Sequence, residues 1–205
     1  MSGYSGYGRL ALAFEMQGAL ETGRNLTALG NRVPWLQQRT IATVRRRVAV
    51  EARRDIQREY NVPAERIRRD LSARNTEDGV RITGQFRGVG LRNFDGRSNS
   101  KGVSARVFRG GPRSQQPGAF QATLLGGNPQ FVERYGPKVE MTKGRYKGQK
   151  RQRVEVLYGP TVAQMLGKGR RPDRLADYAR RTARSEMERQ IDIYLRNPAA
   201  EGGGA

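Results

Sequence analysis

Two residue types are missing from this 205-residue chain, and each absence removes a class of chemistry. Without cysteine there is no disulfide framework, no thiol nucleophile and no cysteine metal site, and nothing points to an oxidising compartment. Without histidine the commonest general base and the commonest metal ligand go together, and Ser-His-Asp and Cys-His arrangements are excluded. Apolar residues are scarce, at 36% with a single Trp, and mean hydropathy is −0.79. A compact domain of this length normally carries more apolar material. The polarity is therefore expected in arms, loops or a surface buried against a partner, with some of the chain ordering only in an assembly. Long apolar runs are lacking too: Leu10-Ala11-Leu12-Ala13-Phe14 is too short to span a membrane and is cut by Glu15, and Met1-Ser2-Gly3-Tyr4 lacks the basic region of a signal peptide. The expectation is a soluble protein made in a cytoplasm, with no membrane partner.

What the chain has in excess is positive charge. Lys and Arg total 39 against 19 Asp and Glu, a formal net charge of +20. Anionic partners follow from that balance, but nucleic acid and an acidic protein surface answer it equally well.

Periodicity divides the chain. A Gly-rich start leads into a helical pattern from Leu10 to about Leu29, interrupted by Gly18 and Gly23, so residues 1–34 read as an N-terminal arm with a helix. From Trp35 to Tyr60, Ile41, Val44, Val48, Ala52 and Ile56 recur at three- and four-residue steps, which predicts a long amphipathic helix. Its arginines, Arg45 to Arg47, Arg53, Arg54 and Arg58, fall mostly off that stripe. They read as a solvated face with intrahelical ion pairs, a dedicated phosphate-binding face being the alternative. A short helix from Ala64 to Leu71 completes residues 35–72 and carries Ile67 and Leu71 inward.

Residues 78–166 read as an antiparallel sheet. Val80 and Ile82 open it, and a long Gly- and Asn-rich connection leads to a strand at Val103–Phe108. Strands follow at Phe120–Leu124, at Phe131–Tyr135 and at Val154–Tyr158. Between the last two lies a basic loop, Lys138 to Arg153, with little apolar content and a length that suits function or disorder. Asp173 is placed to cap a last helix over residues 172–196, in which Leu175, Ala179, Ala183, Met187, Ile191 and Leu195 form a four-residue ladder. Residues 197–205 read as a flexible tail. The fold class expected is α+β, with a long N-terminal amphipathic helix and a C-terminal helix packed on a small, mainly antiparallel sheet.

Sites of chemistry are sparse. Glu133, Glu140 and Glu155 are the only acids in the central stretch and read better as solvated strand positions than as a general acid pair. Gly167-Lys168-Gly169-Arg170 lacks the spaced glycines and the Ser or Thr of a P-loop, and Gly84 to Gly90 lacks dinucleotide spacing. Asn25-Leu26-Thr27 matches a glycosylation acceptor but has no secretory signal beside it. In the basic loop Tyr146 lies between Arg145 and Lys147, a stacking platform in a positive setting. Lys143, Arg145, Tyr146, Lys147, Lys150 and Arg151 are the candidates for docking or phosphate contact.

Three central motifs occur in order: Gly118-Ala119-Phe120, then Phe131-Val132-Glu133-Arg134, then Val156-Leu157-Tyr158-Gly159-Pro160-Thr161-Val162. Together they resemble the minor tail protein Z family, tail completion proteins of long-tailed phages and prophages, with Thr161 standing where that family often has Ser. The resemblance runs over roughly residues 35 to 195, and the Lys138 to Arg153 loop is longer and more basic than the family pattern. It implies a structural, non-enzymatic virion protein without cofactor or metal, assembled in the bacterial cytoplasm and placed at the tail-neck junction. Its implied partners are itself in a ring, a hexamer by that resemblance, a tail terminator or tail tube protein, head connector proteins, and non-specific DNA in the channel. Gly118, Ala119, Phe120, Arg134, Tyr158, Gly159 and Pro160 then have structural roles. Gly118 is expected to permit close backbone approach, Phe120 to enter the core, and Gly159-Pro160 to set the turn from strand into helix. The alternative reading is a basic nucleic-acid-binding protein, and a hydrolase working through Glu133 or Glu155 ranks third.

Overall fold

In a computed structural model the chain is described over residues 9–15, 33–77, 79–124 and 127–196, with the backbone alone for 9–15 and for Leu195. The fold is α+β. Its frame is the pair of long helices α1 (Val33–Glu59) and α4 (Arg171–Arg196). Thr40 meets Met187 near the start of α1 and Asp55 meets Arg174 near its end, so the two run antiparallel. The apolar stripe of α1 behaves as its spacing predicts: Ile41, Val44, Val48, Ala52 and Ile56 are all buried. The first four pack against Leu175, Ala179, Ala183 and Met187 of α4, with Val80, Ile82 and Leu166 closing the same core, while Ile56 joins a second core with Tyr60, Ile67, Phe94 and Met165. Burying each of the larger apolar side chains contributes about 1.5–3 kcal/mol. Ile191 packs at the edge of this core, and the Leu195 side chain lies outside the described residues.

Among the described residues the strands form four small sheets, and every pairing is antiparallel. In the first, β3 (Gly79–Gln85) lies between β1 (Arg9–Glu15) and β2 (Leu71–Thr76). The β1 strand corrects the helix expected from Leu10. Residues 9–15 pair with β3 from Arg9 opposite Gln85 to Glu15 opposite Gly79. The two-residue alternation of Leu10, Leu12 and Phe14 with alanines fits a strand, and an available ladder on β3 outweighs local helix preference. The rest of that pattern, residues 16–32, and the tail at 197–205 lie outside the described residues. Between α1 and β2, helix α2 (Ala64–Asp70) buries Ile67, and Leu71 turns out to begin the strand.

The long connection after β3 is built rather than loose. It holds β4 (Val89–Gly90), a 3-10 turn at Leu91–Asn93 and β5 (Arg97–Asn99). The strand expected at Val103–Phe108 is shorter, as β6 (Gly102–Ala105) pairs with β5 and with β7 (Ser114–Gln116), while Phe108 makes an isolated bridge to Tyr60. A third sheet has β9 (Pro129–Glu140) between β8 (Phe120–Thr123) and β10 (Lys150–Val156). Finally β11 (Tyr158–Gly159) pairs with β4 and leads into α3 (Val162–Gly167). The last helix begins at Arg171, so Asp173 lies in its first turn instead of capping it. There its negative charge still suits the helix N-terminus. Among the described residues no helix is long and apolar enough to cross a membrane.

Candidate docking site

The basic segment expected as a loop is a two-stranded ribbon. β9 continues to Glu140 and β10 starts at Lys150, with Val139 opposite Arg151 and Glu140 opposite Lys150. The strands are out of step around Gln152, which faces the Gly136-Pro137-Lys138 bulge and donates from its side-chain amide to the Gly136 carbonyl at 3.0 Å. Backbone bonds close the far end: Met141 N–H reaches the Gln149 carbonyl at 3.0 Å and Gly148 N–H reaches that of Met141 at 2.8 Å. Gly144 and Gly148 both adopt positive φ there, the condition for so tight a reversal.

Every residue from Arg134 to Lys150 is exposed. A pleated strand sends successive side chains to opposite faces, so the β9 arm of the ribbon has neither face covered. Yet Tyr135, Val139, Met141, Tyr146 and Val154 stand on the ribbon, each between 39% and 44% exposed. Of the loop candidates, the ribbon brings Arg145, Tyr146 and Arg151 together: the guanidinium carbons lie 5.8 and 3.8 Å from the ring centroid of Tyr146. Arg151 therefore occupies one face of the expected stacking platform. Lys143, Lys147 and Lys150 remain exposed along the same ribbon.

The central motifs build the base on which this ribbon stands. β8 pairs with the first half of β9, setting Phe120 opposite Val132. Leu157 N–H donates to the Phe131 carbonyl at 2.9 Å, and Leu91 N–H donates to the Leu157 carbonyl at 2.8 Å, so three segments are laced together. Val103, Ala119 and Phe131 form a small core beneath. Two expected roles are corrected here. Phe120 is only half-buried, with Arg134 5.0 Å above its ring, and Ala119 takes the core position. Gly118 has φ +80° and open space where a side chain would project, so it serves the turn and no close approach. The close approach belongs to Gly159, where a Cβ would lie 2.4 Å from a ring carbon of Phe94. Tyr158 is 61% exposed and lies against Gly88. Beyond Pro160, Thr161 caps α3: its hydroxyl accepts from Gln164 N–H at 3.1 Å, and the Gln164 side chain accepts from Thr161 N–H at 2.9 Å.

Glu133 and Glu155 stand directly opposite each other across the β9–β10 ladder. Among the described residues no three acidic side chains gather as a metal site requires.

Sequence reasoning missed the ion cluster that joins α1 to α4. Arg171 is buried, donates to the Met165 carbonyl and to Glu59 Oε2 at 2.7 Å, and carries Nε 3.3 Å from Asp55 Oδ2, off line for a hydrogen bond. Asp55 also accepts twice from Arg174, at 2.8 and 3.1 Å. Lys168 bonds to the other oxygen of Glu59 and sits over the Phe108 ring at 4.4 Å. That bond to Lys168, with Arg171 assisting against the effect of burial, holds the Glu59 carboxyl below its ordinary range. No local pattern signals this cluster, because Glu59 and Arg171 are 112 residues apart.

No family model matches the chain, and no curated protein or solved structure matches it either.

Proposed function

We propose that this protein is a tail completion or neck subunit of a long-tailed phage particle, forming a ring with copies of itself and joining tail tube to head connector. The ribbon is its docking arm. The observation that carries this reading is the ribbon's composition: five large apolar or aromatic side chains stand uncovered among basic ones on a projecting hairpin. Exposed apolar groups concentrated in one place mark an interaction surface, and a two-stranded ribbon without a covered face is marginal alone. The motifs that resemble the minor tail protein Z family supply the ribbon's foundation, which ties the resemblance to one mechanical task. No catalytic group is assigned in this role.

The test pairs the intact chain with a variant whose ribbon tip, residues 141–149, is replaced by a short turn. Rings in negative-stain electron microscopy, or incorporation into tails, are expected for the first and lost for the second while the melting curve stays the same. An intact chain that remains monomeric and fails to join tails would overturn the proposal.

A further inference from the structure

We infer that the groove between α1 and α4 is a binding site for a phosphodiester backbone, held by Arg46, Arg47 and Arg54. The groove encloses about 410 Å3, walled by those arginines with Val50 and Glu51 from α1 and by Tyr178 from α4. All three arginines are exposed, and among the described residues only Arg47 has a carboxylate within 4 Å. Among the described residues Arg46 donates only to the Thr43 hydroxyl, at 3.4 Å. Arg54 pairs with no carboxylate among the described residues. Arg47 stands 3.8 Å from Glu186, whose oxygens already accept from Arg189 and Gln190. Among the described residues Glu51 is the one acid in the wall, and it lies 3.1 Å from Arg58.

One turn further along α1 the contrast is plain. A second pocket of about 410 Å3 has Asp55 and Glu59 set against Arg58, Arg171 and Arg174, so that each of its arginines has a carboxylate within 4.0 Å. The groove at Arg46, Arg47 and Arg54 is the unbalanced half of the same seam.

Spacing selects among anions. Arg46 and Arg54 are eight residues apart, about 12 Å along a helix. A lone phosphate meets one end of that row, whereas successive phosphates of one nucleic-acid strand meet both. The guanidinium fork suits phosphate oxygens in bidentate geometry. An acidic protein partner would want apolar contact as well, and here only Val50 and the Tyr178 ring offer it. The site involves no ribbon residue and stands whether or not the chain forms rings.

The full chain is titrated against labelled single-stranded DNA, duplex DNA and RNA by fluorescence anisotropy over a range of salt, with poly-glutamate as competitor. Two variants remove equal charge: R46Q/R47Q/R54Q in the groove and K143Q/R145Q/K147Q on the ribbon. The groove variant is expected to bind about 10-fold or more weaker near 0.1 M salt, with the salt slope reduced by about 2, and the ribbon variant to lose less than about 3-fold. Which of the three nucleic acids loses most identifies the strand form the groove prefers. Equal losses in the two variants, or displacement by poly-glutamate as effective as by DNA of equal charge, would overturn the inference. If the groove variant melts early, R54Q alone against K147Q decides, with about a threefold loss expected for R54Q and none for K147Q.

Discussion

Arg171 Nη2 donates to Glu59 Oε2 at 2.7 Å, fastening the first turn of the last helix to the final residue of the first long one. The side chain that makes this bond is 2% exposed, so the pair is shielded on the arginine side. Replacing Arg171 by Ala leaves Asp55 with Arg174 and Glu59 with Lys168, but strips the Met165 carbonyl of its donor and opens a void. Losing these charge-assisted bonds is expected to cost about 1.5–3 kcal/mol, read as a lower urea midpoint with an unchanged slope.

The cap of α3 separates a hydroxyl requirement from a requirement for threonine. Thr161→Ala removes the acceptor for the Gln164 N–H and should destabilise by about 1 kcal/mol. Thr161→Ser keeps that bond and should fall within about 0.5 kcal/mol of the parent. A thermal melt of the two variants checks both.

Two motif glycines should fail for different reasons. At Gly159 an added Cβ meets the Phe94 ring, so Gly159→Ala is expected to cost about 1–3 kcal/mol through overpacking. At Gly118 the space is open and the cost comes from φ +80° alone, about 1 kcal/mol. Shrinking the neighbour discriminates between them. Phe94→Leu in the background of Gly159→Ala should be less than additive, while with Gly118→Ala it should be additive, as double-mutant melts would show.

Acid should reach the α1–α4 interface through Glu186. Arg189 chiefly, and Gln190 after it, hold this buried carboxyl at about 2 against an ordinary 4.5, with burial opposing them. A depressed folded value means that its stabilisation is complete above pH 4.5 and disappears as the pH falls towards 2. Glu186→Gln should therefore lower stability by about 1–3 kcal/mol at neutral pH and flatten the decline below pH 4.5. Chemical denaturation at a series of pH values measures both effects.

Helix α1 was legible because one face of it repeats: Val44, Val48 and Ala52 sit at four-residue steps, and that spacing alone puts them on the buried side. The ladder from Leu175 to Met187 was legible for the same reason. The ribbon was not. Its strands are exposed, so selection for a buried face leaves no alternation to read, and its polarity reads as loop. Its basic residues stand out in the sequence, but only the β9–β10 register shows that Arg151 reaches back over Tyr146.

The sequence by itself determined the two amphipathic helices, the turn from Gly159 into α3, the excess positive charge and the exclusion of histidine and cysteine chemistry. These are local periodicities, local turn residues and simple composition, and they need no partner from elsewhere in the chain. Tertiary structure alone decided that residues 9–15 are a strand, that Gly159 and not Gly118 makes the close approach, and that Asp55, Glu59 and Arg171 meet. A strand needs a ladder to join, a glycine needs a neighbour to press against, and an ion pair needs a second charge. In each case here that second party comes from a distant part of the chain, and only folding brings it within reach.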